Sequence, residues 1–136
     1  MNERRPSVRL AIGNSSDIVT ARQAARELSA HLGFGKAHQT RLATAVSELT
    51  RNVIQYAGAG SCLIEDLSDP GERMIRITIE DHGPGIPDLT LALQDGFSTS
   101  GGLGAGLPGV RRLVDSFHIS SNPGLTRIVI AIRKPV

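Results

Sequence analysis

A two-layer α/β sandwich, a mixed β-sheet with about three helices packed on one face, is the fold that this 136-residue sequence predicts. Two observations predict it, and a third points to a ligand. Stretches that alternate polar and apolar residues fall at the start, the middle and the end of the chain, with helical periodicity between them. The helical stretches carry apolar seams, so each has a face to bury against a sheet. Two glycine-rich turns lie beside hydrophobic runs. Glycine loses the most backbone freedom on folding, so such turns imply backbone held close to something else.

Ser7 to Ile12 alternates Val8, Leu10 and Ile12 with polar Ser7 and Arg9, which is a strand with one wet face. Gly13-Asn14-Ser15-Ser16 breaks it, and Ser15 or Ser16 is expected to cap a helix with Asp17 in its first turn. Ile18, Ala21, Ala25, Leu28 and Leu32 recur at helical spacing, and Gly33 stands where a helix ends. Arg22 and Arg26 lie off that stripe, on a face that meets solvent or a partner protein.

A second helix is expected from Lys36 or Ala37 to Tyr56. Leu42, Val46, Leu49 and Val53 make one apolar seam, while Ala45, Glu48 and Asn52 make a neighbouring stripe. Glu48 and Asn52 therefore stack one turn apart. Ala57-Gly58-Ala59-Gly60 ends the helix. Ser61–Leu67 and Met74–Glu80 form a hairpin around the turn Ser68-Asp69-Pro70-Gly71, and the second strand delivers Asp81 at its end. Asp88–Gln94 predicts a short helix, and Phe97–Gly102 a mobile lid. Leu103 or Gly104 starts another helix, whose apolar face is Leu107, Val110, Leu113 and Val114. Two strands, Ser116–Ser120 and Thr126–Ile132, close the chain around Ser121-Asn122-Pro123-Gly124.

The length suits one domain, residues 1–136, that buries roughly two-thirds of its unfolded surface and needs no disulfide or metal staple. The lone Cys62 lies in an apolar strand and fits a reducing, cytoplasmic setting. Met1–Pro6 lacks the apolar core of a signal peptide, and no window reaches the ~20 apolar residues of a membrane span. A net charge of +2 with no Trp, one Tyr and three Phe argues against nucleic-acid binding, which uses basic stripes and aromatic stacking.

Three constellations carry chemistry. Glu48 and Asn52, at i and i+4, offer two oxygen ligands, or one ligand and one base. Mg²⁺ takes few protein oxygens and completes its shell with water and phosphate, so Asn52 suits the metal and Glu48 can act on a nucleophile. Asp81-His82-Gly83-Pro84-Gly85 places a carboxylate at a strand end, able to accept from an exocyclic amine such as adenine's, beside glycines that let a ligand approach. The turn does not require His82 to act as a base. Gly101-Gly102-Leu103-Gly104-Ala105-Gly106 enters a helix whose free N–H groups suit phosphate, and Ser98, Thr99 and Ser100 add hydroxyls. Neither the P-loop nor the dinucleotide glycine pattern is present.

In this order the three resemble the asparagine box and the two glycine boxes of the GHKL ATPase/kinase superfamily, which includes gyrase, an ATP-driven heat-shock chaperone, histidine kinases and MutL. Within it the chain is most similar to the RsbT-type serine/threonine-protein kinases of the stressosome. The likeness is clearest in Ala21-Arg22-Gln23, Leu32-Gly33-Phe34-Gly35, Ser47–Asn52 and Asp95–Gly109. The resemblance implies the Bergerat/GHKL fold and an ATP- and Mg²⁺-dependent kinase. It implies substrates among STAS-domain proteins of the RsbS and RsbR kind, and activation of a PPM-type phosphatase of the RsbU kind. It assigns Glu48 as catalytic base, Asn52 as Mg²⁺ ligand and Asp81 as adenine-recognising carboxylate, with Gly83 and Gly85 beside it. It makes Ser98–Gly106 the phosphate lid and sets Thr126 near the base.

Relatives often read Gly-x-Gly-Thr at this last box, where this chain has Pro123-Gly124-Leu125-Thr126. No Lys or Arg occurs between Ile77 and Val110, so backbone N–H groups, Mg²⁺, and Arg51 or a partner residue are left to hold the γ-phosphate. The competing reading is an anti-sigma factor of the RsbW/SpoIIAB kind that sequesters a sigma factor and phosphorylates its antagonist. The lid and first helix match the RsbT-type text better.

Overall fold

The computed structural model describes residues 7–86 and 106–136. Among these residues five strands and three helices run in the order β1 (Ser7–Ile12), α1 (Ser15–His31), α2 (Lys36–Ala57), β2 (Gly60–Asp66), β3 (Glu72–Asp81), α3 (Gly106–Leu113), β4 (Ser116–Asn122) and β5 (Leu125–Pro135). The strands form one sheet in the order β1-β2-β3-β5-β4, with the helices as the second layer. The predicted two-layer α/β architecture is the one observed.

The pairing differs from the mixed sheet expected. Every described pair is antiparallel: β1 with β2, β2 with β3, β3 with β5 and β4 with β5. The reason is topological. Two helices separate β1 from β2, so the chain returns reversed. β3 and β4 each pair antiparallel with β5, so those two strands point the same way. The β4–β5 hairpin then places β5 between them, and the would-be parallel pair never touches.

Alternation decides what each strand buries. Ile75, Ile77 and Ile79 of β3, Ile128, Ile130 and Ile132 of β5, and Cys62 and Ile64 of β2 are all 5% exposed or less and face the helices. The α2 seam Leu42, Val46, Leu49 and Val53 is almost fully buried against them, as its spacing predicts. The α1 face packs on α2 through Ala21 and Ala25, whose small side chains let the two helices approach closely.

The first helix is capped one residue earlier than expected. Asn14 is the N-cap: its Oδ1 accepts from the Asp17 N–H at 3.1 Å, and Asp17 Oδ2 accepts from the Asn14 N–H at 3.2 Å. This reciprocal box satisfies two N–H groups that lack helical partners. Gly33, at φ 86°, follows the helix, and Gly58, at φ 82°, closes α2 with its N–H donating to the Val53 and Ile54 carbonyls. The strand β3 runs from Glu72, two residues before the predicted start, and β4 reaches Asn122, so only Pro123-Gly124 remains as the turn before β5. The short helix expected at Asp88–Gln94, the lid Phe97–Gly102 and the helix start at Leu103 or Gly104 lie outside the described residues. The described part of α3 begins at Gly106.

Candidate functional site

The sheet register assembles the site. One row across the helix-facing side reads Ile12, Gly60, Asp81, Thr126 and Ser121 on β1, β2, β3, β5 and β4. The next row inward is Leu10, Cys62, Ile79, Ile128 and Ile119, so on β3, β5 and β4 the apolar core gives way to Asp81, Thr126 and Ser121. Asp81 and Thr126 are therefore cross-strand neighbours at the rim of the core. Helix α2 passes above them, and a cleft opens between, lined by Asn52 and Tyr56 on the helix side, Asp81 and Thr126 on the sheet side, and Gly85 and Ile86 of the loop after β3. Leu49, Val53, Ile79 and Ile128 supply apolar walls. A mostly apolar cleft with a few convergent polar groups is the usual form of a small-molecule site.

Asp81 is held ready to accept. Its Oδ1 takes the Gly83 N–H at 3.0 Å, and among the described residues its other oxygen has no protein partner. Gly83 is pressed against α2: a Cβ there would lie 2.6 Å from the Ala57 Cβ. Gly85 adopts φ 86°, and a Cβ at that position would meet the Asn122 carbonyl oxygen at 2.9 Å. Both positions thus require glycine by close approach, and Gly85 by conformation as well.

This loop is stitched to the β4–β5 turn. The Gly124 N–H donates to the Gly83 carbonyl at 2.9 Å, and His82 Nδ1 lies 3.0 Å from the Gly124 carbonyl oxygen. The exposed His82 thus serves the turn rather than proton transfer. The Ile86 N–H donates to Ser121 Oγ at 2.8 Å, and that hydroxyl lies 2.6 Å from Thr126 Oγ1. Ser121 is the residue that sequence reasoning misses, because its neighbours Asn122-Pro123-Gly124 have the composition of a turn. Alternation carried past Ser120 would place it on the strand.

On α2, Glu48 is 9% exposed and Asn52 half-buried one turn further on. Glu48 Oε1 pairs with Arg51 Nη1 at 3.0 Å. Asn52 lines the cleft described above, whereas Glu48 is turned toward Arg51. The structure thus brings Asn52, Asp81, Gly83, Gly85 and Thr126 together, with Glu48 adjacent. Gly106 stands at the start of α3 with φ 64°. Ser98, Thr99, Ser100, Gly101, Gly102, Leu103, Gly104 and Ala105 lie outside the described residues.

The donor set suits Mg²⁺ and a nucleotide. One carboxamide oxygen facing a cleft is the sparse protein contribution that Mg²⁺ accepts alongside phosphate and water. Among the described residues no group of three or more His, Cys, Asp and Glu side chains forms a fully protein-made metal cage. Asp81 supplies the acceptor, and the apolar walls suit a flat base.

An antiparallel sheet under the three described helices, with the cleft between α2 and the ends of β3 and β5, defines a class. Residues 37–136 match the family of histidine kinase-, DNA gyrase B- and HSP90-like ATPases, and the chain belongs to that family. Within it, the chain is 52% identical over 117 residues to the serine/threonine-protein kinase RsbT of Bacillus subtilis (strain 168), a match covering 86% of this chain and 88% of that one. It is a homologue of that kinase and an enzyme of the protein-serine/threonine kinase class.

Two solved structures share the fold. One holds the RsbU and RsbW domains of Rv1364c from Mycobacterium tuberculosis, with TM-score 0.67 and 17% identity over 96% of this chain; the chain spans about a third of it, 34%. The other is the SiaB–SiaC complex from Pseudomonas aeruginosa, with TM-score 0.57 and 13% identity over 95% of this chain and 89% of that one.

Proposed function

We propose that residues 1–136 act as one ATP-binding domain, a cytoplasmic switch kinase that phosphorylates serine or threonine on small STAS-domain proteins in stress signalling. When released, it activates a PPM-type phosphatase by direct binding. The observation that carries this reading is the single register row that sets Asp81 and Thr126 side by side beneath Asn52, in a chain 52% identical to RsbT. The described helices include none long and apolar enough to cross a membrane.

Each residue has a chemical task. Asp81, steadied through one oxygen by the Gly83 N–H, accepts from the exocyclic amine of adenine with the other. Thr126, beside it in the β3–β5 pair, borders the base. Asn52 would hold Mg²⁺ through its carboxamide oxygen, and the metal would neutralise charge on the phosphates of ATP, the donor of the γ-phosphoryl group. The glycines of Ser98–Gly106 leave backbone N–H groups for the phosphates, since that stretch has no cation of its own. Glu48 takes the proton of the acceptor hydroxyl as its oxygen bonds to the γ-phosphorus and the bond to ADP breaks. Without a basic lid residue, ATP binding is expected to be weak and turnover slow until a partner docks.

The RsbW-like structure shares fold alone, and no described residue favours the anti-sigma reading over the kinase one. The test is phosphate transfer from γ-labelled Mg·ATP to a STAS-domain protein encoded beside this chain, with the labelled residue mapped. Glu48→Gln and Asn52→Ala should each lower transfer by about 10²-fold or more. Undiminished transfer in Glu48→Gln removes the base from the account, and no transfer by the unaltered chain removes the kinase.

A further inference from the structure

Glu48 and Arg51 form an ion pair at 3.0 Å on α2. Viewed down a helix, positions three and four residues on lie on opposite sides of the first, about 60° one way and 40° the other. Asn52, four residues on, lines the cleft. Arg51, three residues on, has a side chain 50% exposed, whereas that of Glu48 is 12% exposed. The pair therefore draws the carboxylate of a nearly buried glutamate away from the Asn52 side and toward solvent. A pair with one half-exposed member is weak and exchangeable. Arg51 is also the nearest cation along the chain to the proposed metal ligand, in a protein with no Lys or Arg between Ile77 and Val110.

We propose that Arg51 is a positioning residue that parks Glu48 off line in the free and nucleotide-bound chain and releases it when an anionic group of the docked acceptor protein claims the guanidinium. This rests on the reading of Glu48 as the base. Parked, the carboxylate does not take a proton from water, so water's oxygen does not attack the γ-phosphorus to yield ADP and inorganic phosphate. The pair thus limits wasteful hydrolysis while the kinase waits for its acceptor.

The test compares ATP hydrolysis by the chain alone with transfer to the STAS-domain protein. In Arg51→Ala, kcat for hydrolysis without acceptor should rise by about two- to five-fold, the range that an exposed i, i+3 pair supports, with KM for ATP unchanged. Arg51→Lys should restore the low rate, and Glu48→Gln added to Arg51→Ala should cancel the gain. A second readout needs no nucleotide: in NMR spectra the Arg51 guanidinium should rotate slowly in the unaltered chain and freely in Glu48→Gln. Hydrolysis by Arg51→Ala that is unchanged or lower overturns the proposal, as does a gain that survives Glu48→Gln. If the unaltered chain moves no phosphate to any acceptor, the kinase reading fails first, and separately.

Discussion

Asp81 and Cys62 mark the two ends of what a single side chain does here, one facing a cleft and the other sealed in the core. Cys62 is fully buried on β2, and burial pushes its thiol from 9.0 up to about 12. At pH 8 only about one native thiol in 10⁴ is ionised, so a thiol reagent should label Cys62 slowly in buffer and rapidly once denaturant opens the core. The same shift makes stability depend on pH. Between pH 9 and 12 the unfolded chain loses this proton and the folded chain keeps it. Stability therefore falls as pH rises through that window, with a limiting slope of about 1.4 kcal/mol per unit from this group. Gly83 tests the other end. A Cβ at that position would lie 2.6 Å from Ala57 Cβ and 3.0 Å from Ala57 Cα. Gly83→Ala should destabilise the fold by about 1–3 kcal/mol and weaken nucleotide binding by displacing the loop that steadies Asp81, as denaturant titration and calorimetry would show.

Among the elements, α1 depends on a local device that a single substitution removes. Asn14→Ala should cost about 1 kcal/mol, seen as a lower urea midpoint with an unchanged slope. Sequence alone leaves this cap ambiguous between neighbours, because Asn14, Ser15 and Ser16 are all good caps. The decisive signal is the spacing of Asn14 to Asp17, which forms the reciprocal box. The α2 helix is legible almost to the residue, since its seam and the Glu48–Asn52 stripe follow from period alone. The end of β4 is not, because Ser121 and Asn122 have the composition of a turn, and only pairing with Thr126 and Leu125 makes them strand. Local chemistry also does not reveal that Arg51 is tied to Glu48 rather than free for phosphate.

For the whole molecule, the fold class is readable from the chain and the strand pairing is not. Insertion of β5 between β3 and β4 is a long-range choice that no window of sequence contains, yet it is what sets Thr126 beside Asp81. The site is thus a product of topology acting on residues whose types are visible beforehand. The described helices all pack on one face of the sheet. The other carries charged cross-strand pairs, Arg76 with Glu65 and Arg127 with Glu80, as an exposed sheet surface should.

The proposed function rests on the Asp81 carboxylate holding adenine in this cleft. Calorimetric titration of the unaltered chain and of Asp81→Asn with Mg·ATP and Mg·GTP, in the presence of the acceptor protein, tests it directly. ATP should bind the unaltered chain and GTP should not, because guanine presents a carbonyl where adenine presents an amine. Asp81→Asn should lose about ten-fold or more of the ATP affinity. Equal binding of ATP by both chains, or of both nucleotides by the unaltered one, would contradict it.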